Sequence, residues 1–171
     1  MYPAYPDKAK TRKSYSTPGH AHELTFSTKN RRAYLTIPEI ANYFIQNLNQ
    51  VKESHQLEIH AYVIMPEHCH LLLWPTQEQY DISKIIRHIK APVGRYALKT
   101  FPHVREQSQL LRSGSKSLYQ FWQPGGGYDR NMWSDDAISN SIEYIHNNPV
   151  KRGLCETPES WPWSSASNPI K

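Results

Sequence analysis

Residues 62–75, YVIMPEHCHLLLWP, decide the fold. β-Branched, aromatic and aliphatic residues stand on both sides of Met65-Pro66-Glu67, so the run reads as two strands, 57–65 and 68–75, joined by a tight turn into an antiparallel hairpin. In the second strand His68 and His70 are two positions apart. They therefore share a face roughly 7 Å apart along the backbone and can converge on one metal ion. Two polar rings in an apolar segment cost free energy unless they find partners. The same spacing also suits an ordinary strand face whose rings are satisfied by hydrogen bonds. Cys69 points the other way and reads as a small buried hydrophobe. No CxxC or second close pair completes a closed zinc set, so the metal expected here keeps positions open for substrate.

Outward from this hairpin the pattern alternates. Residues 22–28 (HELTFST) read as a first strand, followed by the basic turn at residues 29–32. Pro38 suits a first helical turn, and Ile40, Ala41, Phe44, Ile45, Leu48 and Val51 recur at helical spacing to about Ser54. Asp81 caps a second helix with Ile82, Ile85, Ile86 and Ile89 as its stripe, and Pro92 is expected to kink it or move its start. Residues 102–120 turn polar, either a solvated connection or a DNA-contacting loop. Phe121 and Trp122 read as the start of a short strand. Gly125 to Gly127 then bend the chain before residues 128–133, and a helix capped by Ser134 is expected to end at Pro149. The order β-α-β-β-α-β plus a closing helix predicts an α+β, ferredoxin-like sandwich with an antiparallel sheet and the histidine strand at its centre.

At 171 residues the chain is one domain, with residues 1–18 expected as a flexible basic tail before a domain at 19–171. A net charge of +5 suits a polyanionic partner. No apolar stretch approaches the ~20 residues that span a bilayer, and the first residues lack a signal-peptide core, so the expected location is the cytoplasm, with no membrane partner. Cys69 and Cys155 form no disulfide framework, which agrees with a reducing compartment.

A second constellation lies in residues 139–154, SNSIEYIHNNPVKRGL, where Tyr144 and Asn148 share one helix face. A metal held by His68, His70 and the Asn148 side-chain oxygen leaves room for a phosphate oxygen, and Tyr144 can then attack phosphorus. A phenol, with a pKa near about 10, is a poor nucleophile at neutral pH unless a cation polarises the phosphate. Imidazoles with one neutral oxygen favour Mn²⁺ by donor type, and abundance favours Mg²⁺. A helical tyrosine also commonly packs at a core edge, and this chain has eleven tyrosines.

Taken together, these residues carry a resemblance. The run MPEHCHLLLWP resembles the histidine-hydrophobic-histidine motif of the single-tyrosine HUH transposases, and YIHNNPVKRGL (144–154) is similar to the catalytic-tyrosine helix of their REP-associated branch. WPWSSA (161–166) and FWQPGGGYDRN (121–131) resemble further segments, so the similarity spans about residues 19–166. The resemblance implies a ferredoxin-like enzyme that nicks and rejoins single-stranded DNA beside short hairpins or palindromic repeats through a 5′-phosphotyrosine, with Mg²⁺ or Mn²⁺. By position it makes His68, His70 and Asn148 ligands and Tyr144 the nucleophile, in a nucleoid-associated protein. Glu67 stands where such proteins often have Asn, and Asn148 where insertion-sequence relatives have the longer Gln. Members work as homodimers in trans or monomers in cis, and the sequence leaves this open.

Single-stranded DNA is held by cations and stacking aromatics. The candidates are Arg31, Arg32, Arg87, Lys90, Arg95, Arg130, Lys151 and Arg152, with Tyr128 or Trp133 beside the glycines; Asp129 either orients a site group or pairs with Arg130. Two rival readings remain at this level. One is a non-catalytic ferredoxin-like regulator of palindromic sites, the other a hydrolase in which water attacks.

Overall fold

The computed structural model describes residues 15–110 and 118–170. Four strands, β1 (Ala21–Ser27), β2 (Leu57–Ile64), β3 (His68–Pro75) and β4 (Tyr128–Met132), form one antiparallel sheet in the order β2-β3-β1-β4. This is the expected ferredoxin-like topology, with the histidine strand inside the sheet. Helices α1 (Pro38–His55) and α2 (Ile82–Thr100) cover one face, where Leu24, Phe26, Leu71 and Leu73 meet Phe44, Leu48, Ile85 and Ile89. A short α3 (Pro102–Gln107) follows α2, and α4 (Asp135–Lys151) covers the other face, with Ile145 against Ala61, Val63 and Leu72. Because β3 is buried from both sides, Leu71, Leu72 and Leu73 run on without polar alternation. Among the described residues no helix is long and apolar enough to cross a membrane.

Both helix caps read from the sequence are present: Asp81 accepts from the Ser83 and Lys84 amides, and Ser134 from that of Ala137. Pro92 does not move the start of α2, which begins at Ile82 and is continuous through the proline. The proline lacks the N–H that would bond the His88 carbonyl, and the buried Asn47 of α1 donates to that oxygen at 3.2 Å and to Ile89 O at 2.9 Å. Likewise α4 runs two residues past Pro149.

Two further expectations are corrected. Residues 102–107 are helical, since Pro102 occupies the first turn and Val104 is buried. Phe121 and Trp122 form no strand; they are buried against Phe26 and Tyr34, with a single bridge from Trp122 to Thr28. The expected tail, 1–18, lies outside the described residues except for its last four, and these belong to the fold. Asn131 donates to Tyr15 O, Ile82 N–H to Ser16 Oγ, and Tyr80 to Thr17 O.

The β2 edge is closed by the segment after α4. Ile64 N–H donates to Trp163 O (2.8 Å), the Trp161 indole to Ile64 O (2.9 Å), and Ser165 N–H to Tyr62 O (2.9 Å). The two tryptophans thus staple this segment to the core. At the opposite edge Gly127 has φ +77, and a Cβ there would run into the Thr25 carbonyl oxygen. Gly127→Ala is therefore expected to lose at least about 2 kcal/mol, from left-handed strain and displacement of β1. A urea midpoint equal to that of the unaltered chain would contradict this.

Candidate active site

The pleat of β3 turns His68 and His70, with Leu72, toward α4, and Cys69 and Leu71 toward the opposite core. The turn before His68 is tied from three sides. Met65 N–H donates to His68 O (2.8 Å), Leu35 N–H to Pro66 O (3.0 Å), and Thr28 N–H to Glu67 O (2.9 Å).

That turn aims the Glu67 side chain inward, where it is 7% exposed. Its Oε1 accepts from His68 Nδ1 (3.0 Å), Arg31 (2.8 Å) and Arg152 (2.6 Å). Burial works to raise the Glu67 pKa, but hydrogen bonds and charge from His68 and Arg152 outweigh it and hold it at about 2. An ionised carboxylate only accepts, so His68 Nδ1 carries a proton, and Nε2 is the nitrogen turned toward His70.

Across the sheet, Thr25 of β1 is paired with His70, and its Oγ1 lies 2.8 Å from His70 Nδ1. Burial first, then the neighbouring His68 and Arg31, push the His70 pKa down to about 3, so this ring is neutral at pH 7. The two Nε2 atoms face each other at 3.0 Å. Two nitrogens each about 2.1 Å from one ion lie about 3 Å apart on adjacent octahedral positions. Both rings are thus held from behind with their Nε2 atoms convergent, the arrangement outer partners impose on metal-binding imidazoles.

From the other side α4 delivers Asn148 and Tyr144. The Asn148 amide is buried and lies 3.3 Å from His70 Nε2; a half-turn of the amide presents its oxygen there instead. One turn earlier the Tyr144 ring stands edge-on to His70 with centroids 5.6 Å apart, and it is 44% exposed. The Lys151 ammonium lies over the same ring at 5.2 Å. Among the described residues no group of three His, Cys, Asp or Glu is placed to hold a metal. The donor set is two imidazoles and an amide, which fits a divalent ion with open positions.

The DNA candidates divide into three groups. Arg31, Arg152 and Lys151 border the histidine pair, and the exposed Arg32 continues the Arg31 turn. Tyr128 lies in the same cross-strand row as His70 and Thr25, and Arg130 is one pleat further, 3.9 Å from Glu23. Arg87 and Arg95 lie on α2, on the far face of the sheet from His68 and His70. Lys90 is a correction: it is buried, its ammonium bonded to Gly125 O (2.7 Å), where it anchors the glycine loop rather than facing solvent.

Sequence reasoning noticed Glu67 only as a departure and missed Thr25 entirely. It also missed a buried chain on the far face. There His22 Nδ1 meets Asp129 (2.9 Å) and Nε2 meets the Tyr80 hydroxyl (2.8 Å), so Asp129 pairs with His22 and not with Arg130.

Comparison with known proteins agrees with this geometry. The family described as Transposase IS200 like matches residues 16–148. The REP-associated tyrosine transposase of Escherichia coli K12 is 28% identical over 157 residues, covering 88% of this chain and 79% of its own. A Haemophilus influenzae protein provisionally given the same name is 27% identical over 156 residues, covering 91% of this chain and 84% of its own. A solved structure of a REP-associated tyrosine transposase bound to a REP hairpin superposes with a TM-score of 0.67 at 25% identity, over 92% of this chain and 82% of that one. With the family match spanning residues 16–148 and the fold shared, the chain belongs to the IS200-like transposase family, alongside its REP-associated tyrosine members.

Proposed function

We propose that this chain nicks and rejoins single-stranded DNA beside a hairpin, with Tyr144 as nucleophile and His68, His70 and Asn148 as the ligands of Mg²⁺ or Mn²⁺. The observation that carries the reading is the meeting, within one chain, of the Tyr144 ring, the Asn148 amide and both imidazole Nε2 atoms. A hairpin is the partner in the matched structure, and the reading extends that partner to this chain.

In the nicking step the Tyr144 oxygen bonds to phosphorus while the bond from phosphorus to the 3′ oxygen breaks. The phenolic proton passes to solvent, and the departing oxygen takes one up. The products are a 5′-phosphotyrosine and a free 3′ hydroxyl, and attack by an incoming 3′ hydroxyl reverses the step with no net loss of phosphodiester bonds. A bound divalent cation supplies positive charge against the non-bridging phosphate oxygens. Arg31 and Arg152, each with one nitrogen on Glu67 and the rest of the head toward solvent, hold the flanking backbone together with Arg32, Lys151 and Arg130, and Tyr128 stacks a base. One copy of the chain suffices, because Arg152 and Asn148 tie α4 to its own sheet. The catalytic unit is 19–171 with residues 15–18 docked on it, acting at the nucleoid.

The test is a labelled single-stranded hairpin incubated with the full chain and Mn²⁺, then run on a denaturing gel. A protein-linked 5′ product is expected. Free ends without an adduct would overturn the reading in favour of hydrolysis, and an intact strand in favour of binding alone.

A further inference from the structure

Helix α4 carries both Tyr144 and Asn148, and its apolar hold on the sheet is narrow. It buries Ile145 and Pro149, with Ile138 and Ile142 partly covered, whereas α1 buries Ile40, Ala41, Phe44, Leu48 and Val51. Apolar burial has no direction, so such a ridge keeps α4 on the sheet but leaves its roll about its own axis soft. A roll of about 10° moves an atom about 6 Å from the axis by about 1 Å. Misplacement of that size costs a reaction about 100-fold. Directional contacts therefore have to set the roll.

At about 100° per residue, Tyr144 and Asn148 point about 40° apart, and His146 points about 160 to 200° from each of them. Ile145 lies between these directions, so the reacting residues and His146 stand on opposite flanks of the buried ridge. On the reacting flank Asn148 is 3.3 Å from His70 Nε2, and at the helix end the long Arg152 side chain reaches Glu67. The other flank meets Ser165, whose Oγ is 2.8 Å from His146 Nε2.

Ser165 is itself fixed to the edge of β2. Its Oγ accepts from Tyr62 N–H (2.9 Å) and lies 3.2 Å from Tyr62 O, and its own N–H donates to Tyr62 O (2.9 Å). A hydroxyl offers one proton and two acceptor positions, and the contacts with Tyr62 and His146 use all three. Beside it Ser164 bridges Val63 and the Trp161 indole holds Ile64 O, so the hydroxyl that meets α4 is as rigid as the sheet.

We infer that His146 and Ser165 are positioning residues for the nicking reaction: their hydrogen bond is a backstop, anchored on β2, that fixes the roll of α4 and so aims Tyr144 at phosphorus. The inference rests on the reading of Tyr144 as nucleophile and adds to it two residues that touch neither the metal nor the DNA. A contact that served packing alone would change stability and leave the rate of the folded protein as it is.

The experiment measures the single-turnover rate of adduct formation by the full chain at saturating Mn²⁺ and saturating single-stranded hairpin, together with hairpin affinity, for the unaltered protein, His146→Phe and His146→Gln. Phenylalanine fills the space of the ring without the hydrogen bond, and the glutamine amide reaches Ser165 Oγ from a similar position. The phenylalanine variant is expected to lose about 10- to 100-fold in rate with hairpin affinity held within about threefold, and the glutamine variant to recover most of the rate. Ser165→Ala removes the same bond from the other side and is expected to show the same loss, which keeps the test decisive if one variant does not fold. A folded His146→Phe or Ser165→Ala chain that reacts at the unaltered rate would overturn this inference and leave the active-site reading standing, and so would a glutamine variant as slow as the phenylalanine one. An unaltered chain that forms no adduct on Tyr144 would overturn both.

Discussion

Tyr144→Phe is expected to bind hairpin DNA as the unaltered chain does and to form no protein-linked product, a loss of at least about 10³-fold. The substitution removes one oxygen. That oxygen makes no hydrogen bond among the described residues, while the ring packs edge-on to His70 and under Lys151, contacts phenylalanine keeps. Stability and metal affinity should therefore be unchanged, and the loss falls on chemistry alone. Mass spectrometry of the trapped adduct checks the assignment. A nucleotide on another tyrosine in the unaltered chain, or an adduct surviving in the variant, would refute it.

Glu67→Ala is expected to weaken Mn²⁺ binding about 10- to 100-fold, although residue 67 is no ligand. The carboxylate fixes the His68 proton on Nδ1 and neutralises Arg31 and Arg152, which approach it from different segments. Without it His68 is free to turn, and the two guanidinium groups face each other. Calorimetric titration with Mn²⁺ reads the effect without DNA, and Glu67→Gln should fall between, since an amide accepts a hydrogen bond but carries no charge. An unchanged affinity would reduce Glu67 to packing. A pH limb accompanies this. Burial alone would raise the Glu67 pKa, yet its partners lower it from 4.5 to about 2, so the stability it contributes is complete above about 4.5 and is lost as pH falls toward 2. The glutamine variant should lose that limb.

How much of this was legible depended on range. The hairpin at 57–75, both caps and the i, i+4 pairing of Tyr144 with Asn148 follow from local periodicity, and the structure keeps them. Glu67 was opaque because its partners Arg31 and Arg152 stand 36 and 85 positions away, and a lone carboxylate in a turn ordinarily faces water. Lys90 misled for the complementary reason. A lysine amid Arg87 and Arg95 reads as surface, and only the return of residues 123–125 supplies carbonyls to bury it. Pro92 reads as a break until Asn47, from another helix, reaches the orphaned carbonyl.

The staple over the β2 edge sets a timetable for synthesis. Residues 161–168 are made after Tyr144, Asn148 and Arg152, yet they close the strand next to the one that carries the histidines. On the ribosome all four strands and the residues of α4 are made before the segment that covers the β2 edge. Until the last tryptophans emerge, the outer edge of β2 therefore stays open.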